Sequence, residues 1–176
     1  MADYAGPFRR LIHGLKFEGM DYLGCHLGDE IVRRLAPLLL DAPFLRPDLI
    51  VPVPLHWWRR YRRGYNQACL LARPIARQTG RPLADGLLSR IRAGRRQLGL
   101  TRQERLRSLE GCYLTRRDVH RAGGRLGVGG RSVLLVDDVV TTGATLEACA
   151  RALLRAGAFS VAACVLARTP RSGTRG

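Results

Sequence analysis

Two adjacent carboxylates end the most apolar run of the chain. Residues 133–136, Val-Leu-Leu-Val, lead into Asp137 and Asp138, and Thr141, Thr142, Gly143, Ala144 and Thr145 follow. A buried strand of this kind delivers its acidic pair to the carboxyl end of a sheet, where ligands of open α/β folds bind. The Thr-Thr-Gly turn then opens a helix, whose first N–H groups and dipole favour an anion, with the threonine hydroxyls beside it. Gly143 lets the backbone come close without a Cβ. Carboxylates accept from vicinal hydroxyls and help to hold Mg²⁺, so the pair beside an anion nest suits a sugar phosphate. The plainer alternative is an ordinary strand–turn–helix in which the threonines only cap. No Gly-x-x-x-x-Gly-Lys-Ser/Thr loop is present, and the glycines near Gly127 lack Gly-x-Gly-x-x-Gly spacing.

A second constellation occupies residues 56–65, where four arginines, Arg59, Arg60, Arg62 and Arg63, alternate with Trp57, Trp58, Tyr61 and Tyr65. Aromatic faces and guanidinium groups together make a platform for single-stranded nucleic acid, where stacking contributes about 1–3 kcal/mol per base. The alternative is that the tryptophans anchor a core while the arginines are solvated. Residues 90–107 hold seven further arginines. Lys16 is the one lysine among thirty Lys and Arg residues. Either it supplies a compact point charge where a guanidinium would not serve, or its isolation is chance. His13, His26, His56 and His120 are dispersed, and Glu147 with Arg151 has the spacing of a helical i,i+4 pair.

The surrounding chain can position such groups. It has 176 residues, 46% of them hydrophobic and 25% charged, which supports a packed core and excludes wholesale disorder. No apolar run approaches the length of a membrane span, and no apolar leader precedes Arg9 and Arg10, so the cytoplasm is the expected location. The formal charge of +16 points to polyanionic partners, nucleic acid first and phosphorylated metabolites second. Codon bias in a GC-rich genome would produce the same arginine surplus. Five cysteines lack Cys-x-x-Cys spacing, so no protein-bound zinc is expected and most thiols should be buried and reduced.

Periodicity predicts a helix from Pro7 to Gly19 with Phe8, Leu11, Ile12 and Leu15 on one face, and a second over about 21–40. Strands are expected at 49–53, 87–91, 111–115, 132–136 and 159–166. Helices are expected at 66–79, kinked by Pro74, and from Leu146 to Gly157. The alternation implies an α/β fold with a parallel sheet covered on both faces.

The acidic pair and Thr-Thr-Gly turn closely resemble the phosphoribosyl pyrophosphate (PRPP) signature of type I phosphoribosyltransferases. The resemblance implies ribose hydroxyls, with Mg²⁺, at Asp137 and Asp138, and the 5′-phosphate at Thr141, Thr142, Gly143, Ala144 and Thr145. Residues 51–67, with Leu15-Lys-Phe-Glu-Gly19, residues 97–105 and Leu166-Ala-Arg168, are similar to the ComF family from about residue 4 to residue 168. That family comprises phosphoribosyltransferase-like proteins tied to DNA uptake in natural transformation. The implied fold is the type I phosphoribosyltransferase α/β fold: a parallel sheet flanked by helices, with an N-terminal helical cap. The expected divisions are a hood-like cap over 1–46, a core over 47–168 and a flexible tail over 169–176.

Further roles follow from the same resemblance. Trp57, Trp58, Arg59, Arg60, Arg62, Arg63, Gly64, Asn66 and Gln67 would form the loop on the pyrophosphate side. Residues 90–107 would be a mobile loop closing over the reacting centre, with Arg95, Arg96 and Arg102 as catalytic groups for the leaving pyrophosphate; the alternative is a solvated basic loop. The chain departs from the family in three places. The usual cysteine-rich zinc ribbon is missing from these residues, Tyr65 replaces the usual Phe, and Pro74 stands in a normally uninterrupted helix. The expected function is PRPP binding with single-stranded DNA during uptake, alongside competence-machinery proteins. The alternatives are an active phosphoribosyltransferase acting on a nucleobase or another nucleophile, or a PRPP-sensing regulator of transcription.

Overall fold

The structure, a computed structural model, describes residues 2–3, 6–41, 47–92, 102–116, 118–121 and 124–169. Its centre is strand β7 (Ser132–Val140), which lies parallel to β2 (Leu49–Pro52) on one side and β8 (Ser160–Arg168) on the other. The short β1 (Ala2–Asp3) extends the sheet past β8, giving the order β1-β8-β7-β2. Beyond β2, residues 82–84 add a single parallel bridge, with Ala84 N–H donating to the Ile50 carbonyl at 2.8 Å.

Alternation along the strands sorts their side chains onto two faces. Leu49, Val51, Val133 and Leu135 meet helix α6 (Ala144–Arg155) through Ala148, Cys149, Ala152 and Leu153. Ile50, Leu134 and Val136 face the other way, onto helix α4 (Gln67–Thr79) through Leu71, Ala72 and Ile75. Helices α1 (Gly6–Phe17) and α2 (Tyr22–Asp41) add Ile12, Leu15, Leu27, Ile31 and Val32 to that second core. Ile12, Leu15, Leu71 and Ile75 are fully buried, each worth about 1.5–3 kcal/mol relative to exposure.

The seat of α2 on α4 explains Pro74. A Cβ on Gly28 would stand 2.7 Å from Pro74 Cγ and 2.8 Å from the Leu71 carbonyl oxygen, and one on Gly24 only 2.4 Å from Leu70 Cβ. The two helices therefore touch through bare backbone, and the Pro74 ring fills the groove left by Gly28. Helix α4 runs unbroken through the proline.

Several elements differ from the expectations. Strands β3 (Leu88–Arg90) and β4 (Tyr113–Thr115) form, but they pair antiparallel with each other outside the parallel sheet. The segment at 57–63, expected as a loop, is helix α3 (Trp57–Arg63), with His56 Nδ1 accepting from Trp58 N–H at 3.4 Å and Gly64 closing it at φ 80°. Part of the expected mobile segment is helix α5 (Arg102–Ser108). The Gly-rich stretch contributes to a hairpin of β5 (Asp118–Arg121) and β6 (Gly124–Gly127). Of the expected tail, only Thr169 is described. Cys69, Cys112, Cys149 and Cys164 are buried and Cys25 is exposed.

Candidate active-site cleft and its relatives

A cleft of about 230 Å³ opens at the carboxyl ends of β2 and β7, with Asp137, Asp138 and Thr145 on its floor and Arg59, Arg63 and Lys16 on its walls. Each carboxylate is fixed by the next residue: Asp138 N–H donates to Asp137 Oδ1 at 2.9 Å, and Val139 N–H to Asp138 Oδ1 at 2.7 Å. Strand alternation points the two in different directions. Asp137 shares the face of Leu135, toward β4 and α6, whereas Asp138 turns toward α1. There Lys16 Nζ lies 2.7 Å from Asp138 Oδ2, with the two side chains 21% and 5% exposed.

Burial pushes the Asp137 carboxyl well above the usual carboxylate range, and the neighbouring Asp138 charge adds to the rise. The Asp138 N–H and the Lys16 charge oppose it without cancelling it. A group in that state gains from any cation or hydroxyl donor that enters the cleft. Its oxygen donors, with those of Asp138, fit Mg²⁺, which takes oxygen ligands and keeps part of its water shell.

Above the carboxylates, residues 141–143 make the turn and α6 begins at Ala144. Gly143 stands at φ 80° with no side-chain cap on the helix. The position demands glycine for its left-handed backbone, since a Cβ would meet only Val140 Cγ2, at 4.0 Å. The threonines do not spend their hydroxyls capping α6, which leaves its N-terminal N–H groups available to an anion. Thr141 is exposed, Thr142, Gly143 and Thr145 are half-buried, and Ala144 is buried.

The opposite wall is held from α3 and α4. Asn66 caps α4 through Ala68 N–H, at 3.2 Å, and donates to the Val53 carbonyl at 3.1 Å, locking the end of β2 to the helix. Arg63 donates to Gln67 Oε1 at 2.7 Å and lies 5.2 Å over the Phe17 ring. Desolvation lowers its pKa while Asp138 pulls it back up. Tyr65 donates its hydroxyl to the Leu15 carbonyl at 2.6 Å and so pins the last turn of α1 beside the cleft. Helix α3 buries none of its residues; Trp57, Trp58 and Tyr61 are 65%, 50% and 80% exposed. The tryptophans are therefore not core anchors.

Of the residues singled out from sequence, Asp137, Asp138, Thr145, Arg59, Arg63 and Gln67 meet in this one cleft. Trp57, Trp58, Arg60, Arg62 and Gly64 belong to α3 and its cap but do not line it. Arg102 opens α5, and Arg95 and Arg96 lie outside the described residues. Arg90, the first residue of the segment expected to close over the reacting centre, lines the cleft, and so does Tyr113, which the sequence did not point to; the Arg90 guanidinium lies 5.7 Å from the Tyr113 ring. The Tyr113 hydroxyl is buried beside Thr145 and Cys149. A second cleft, of about 240 Å³ between α5 and α6, shares Tyr113 and carries Arg107, Arg151 and Arg155, but neither carboxylate of the pair reaches it. Among the described residues no three His, Cys, Asp or Glu side chains gather as a metal site, and no helix is long and apolar enough to cross a membrane.

A four-stranded parallel sheet with helices on both faces and an acidic pair at its carboxyl edge defines a type I phosphoribosyltransferase fold. Residues 68–175 match the phosphoribosyl transferase domain. A solved purine phosphoribosyltransferase from Pyrococcus horikoshii shares the fold with a TM-score of 0.50 and 19% identity, over 84% of this chain and 76% of that one. In sequence, the DNA utilization protein YhgH of Escherichia coli is 36% identical over 169 residues, covering 96% of this chain and 70% of that protein. Competence protein F of Haemophilus influenzae is 30% identical over 94% of this chain and 69% of its own length. Competence protein ComFC of Bacillus subtilis is 37% identical over 69% of this chain and 45% of its own. This chain belongs to the ComF family.

Proposed function

We propose that this chain binds PRPP with Mg²⁺ in the cleft at the ends of β2 and β7, and presents α3 to single-stranded DNA as a cytoplasmic DNA-uptake protein working with competence machinery. The observation that carries the reading is the meeting of Asp137, Asp138 and Thr145 with Lys16, Arg59 and Arg63 in one cleft. In this reading Asp137 and Asp138 accept from the ribose 2′- and 3′-hydroxyls. The 5′-phosphate sits on the turn 141–145 against the N-terminus of α6, where unpaired N–H groups and the helix dipole favour negative charge. The pyrophosphate faces the cationic wall. Mg²⁺, when bound beside the two carboxylates, supplies charge neutralisation to the pyrophosphate oxygens.

DNA engagement rests on α3, whose Arg59 and Arg63 reach the cleft while its aromatic rings face solvent. The names of the competence relatives support a role in uptake. Transfer of phosphoribose to a nucleobase is the second reading. It is favoured by a cationic wall facing two carboxylates, an arrangement suited to stabilising a departing pyrophosphate. Pyrophosphate release from PRPP against a panel of nucleobases separates that reading from binding alone.

Thermal stability tests the ligand. At PRPP about one hundred times its Kd, linkage adds about 2.7 kcal/mol. For a chain of this size that is a Tm rise of roughly 5–10 °C in the presence of Mg²⁺. Asp137→Asn combined with Asp138→Asn should remove the rise while circular dichroism reports a folded chain. The same rise in the double variant would sink the assignment.

A further inference from the structure

We infer that Lys16 is an exchangeable counter-ion that serves two anions in turn: Asp138, with which it is paired here, and the phosphate oxygens of a bound phosphoribosyl ligand. The inference rests on the sugar-phosphate reading of the cleft.

Asp138 spends Oδ1 on the Val139 N–H at 2.7 Å, so Oδ2 is the oxygen left for a ligand hydroxyl. Oδ2 is where Lys16 Nζ sits, also at 2.7 Å. Ribose and ammonium therefore compete for one atom, in a place where the carboxylate is almost wholly buried. When the ribose hydroxyls take Oδ2, the released ammonium lies in the same cleft as the phosphates and needs a new anion.

The backbone can stay still while this happens. Ile12 and Leu15 are fully buried, and the Tyr65 hydroxyl holds the Leu15 carbonyl at 2.6 Å, so α1 is anchored one residue before Lys16. Only the flexible four-carbon stem has to swing. The neighbouring cation cannot play this part, because Arg63 is committed to Gln67 at 2.7 Å and to the Phe17 ring. Residue type fits as well. A guanidinium grips a carboxylate bidentately, whereas an ammonium is a point charge with rotatable donors that changes partner at lower cost. In a chain with one lysine among thirty Lys and Arg residues, that lysine occupies the position where letting go is required.

The test compares wild type, Lys16→Met and Lys16→Arg by calorimetry, with PRPP plus Mg²⁺ in one series and Mn²⁺ alone in the other. Lys16→Met keeps an apolar stem and should weaken PRPP about tenfold or more, the weight of one charge-assisted hydrogen bond. It should also bind Mn²⁺ alone more tightly, because Asp138 has lost its internal counter-ion. Lys16→Arg retains the charge and should not restore PRPP affinity, since the guanidinium stays on the carboxylate. A merely structural lysine would lower both affinities together, and that pattern overturns the inference. So does PRPP binding that Lys16→Met leaves unchanged, or wild-type PRPP affinity in Lys16→Arg, which remains decisive if the methionine variant fails to fold. If the wild-type chain gives no PRPP heat at all, the sugar-phosphate reading falls, and the inference falls with it.

Discussion

Helix α3 offers two separable handles on a nucleic-acid strand. Trp58 and Tyr61 are stacked, with centroids 6.2 Å apart and planes at 21°, and Trp57 meets Trp58 edge-on at 5.9 Å. The rings lie on solvent rather than in a core, so Trp58→Ala should leave Tm within a degree or so of wild type, as for substitutions away from the core. Its cost should appear as lost stacking, about 1–3 kcal/mol per base, or roughly 5- to 150-fold in affinity. The charges divide differently. Arg63 is held by Gln67 and Phe17, and Arg60 lies 3.7 Å from Asp85. Arg59 and Arg62 therefore remain as the α3 cations with no hydrogen bond or ion pair to another described residue. Replacing both by Gln should flatten the log–log salt dependence by about 0.7 for each phosphate contact, or about 1.4 for the two. Fluorescence polarisation of a labelled oligonucleotide across a salt series, with circular dichroism melts alongside, measures both effects. A Trp58→Ala variant that loses many degrees of Tm, keeps its affinity, or changes the salt slope as much as the arginine pair does would refute a stacking role for α3.

Two further outcomes concern the fold. The raised Asp137 carboxyl keeps a proton that the unfolded chain releases, so its contribution is fully present below the unfolded value and is lost as pH rises through the folded one. Asp137→Asn should thus raise Tm at neutral pH and flatten its decline from acid to neutral; a lower neutral Tm would contradict this. Gly24→Ala gains up to about 1 kcal/mol in helix propensity but puts a Cβ 2.4 Å from Leu70 Cβ, an overpacking worth about 1–3 kcal/mol. The variant should lower the urea midpoint, and a midpoint above wild type would show that α2 is not seated on α4 as described.

What could be read from the sequence follows burial. Strand β7 and helix α6 carry strong apolar patterns, the acidic pair lies within β7 and the Thr-Thr-Gly turn joins the two, so the floor of the cleft was legible in the sequence. Helix α3 was not, because none of its side chains is buried and it writes no apolar stripe into the sequence. Its signal was the pair of ends, His56 and Gly64. Strands β3 and β4 could be recognised as strands, but three-residue segments carry no sign of their partners. Arg90 and Tyr113 reach the cleft through that antiparallel pairing, and Tyr113, outside the arginine-rich segment, carries no sign of it in the sequence. Pro74 could be read as a residue out of place in a helix, but the groove at Gly28 that receives its ring lies on another helix and is not visible in the local sequence. Lys16 was conspicuous for its type, yet its carboxylate partner lies at the far end of the chain and only the folded sheet brings them together.

The isolation of that lysine makes the cleft chemically addressable. Apart from any α-amino group, an amine-selective reagent has one target in these 176 residues, and its rate of acylation reads the accessibility of a single ammonium. A lysine-specific protease likewise has one peptide bond to cut, Lys16–Phe17, in the last turn of α1. Cleavage requires that turn to open, so digestion at one scissile bond becomes a clock for local unfolding at the edge of the cleft. Any molecule that settles there slows the clock.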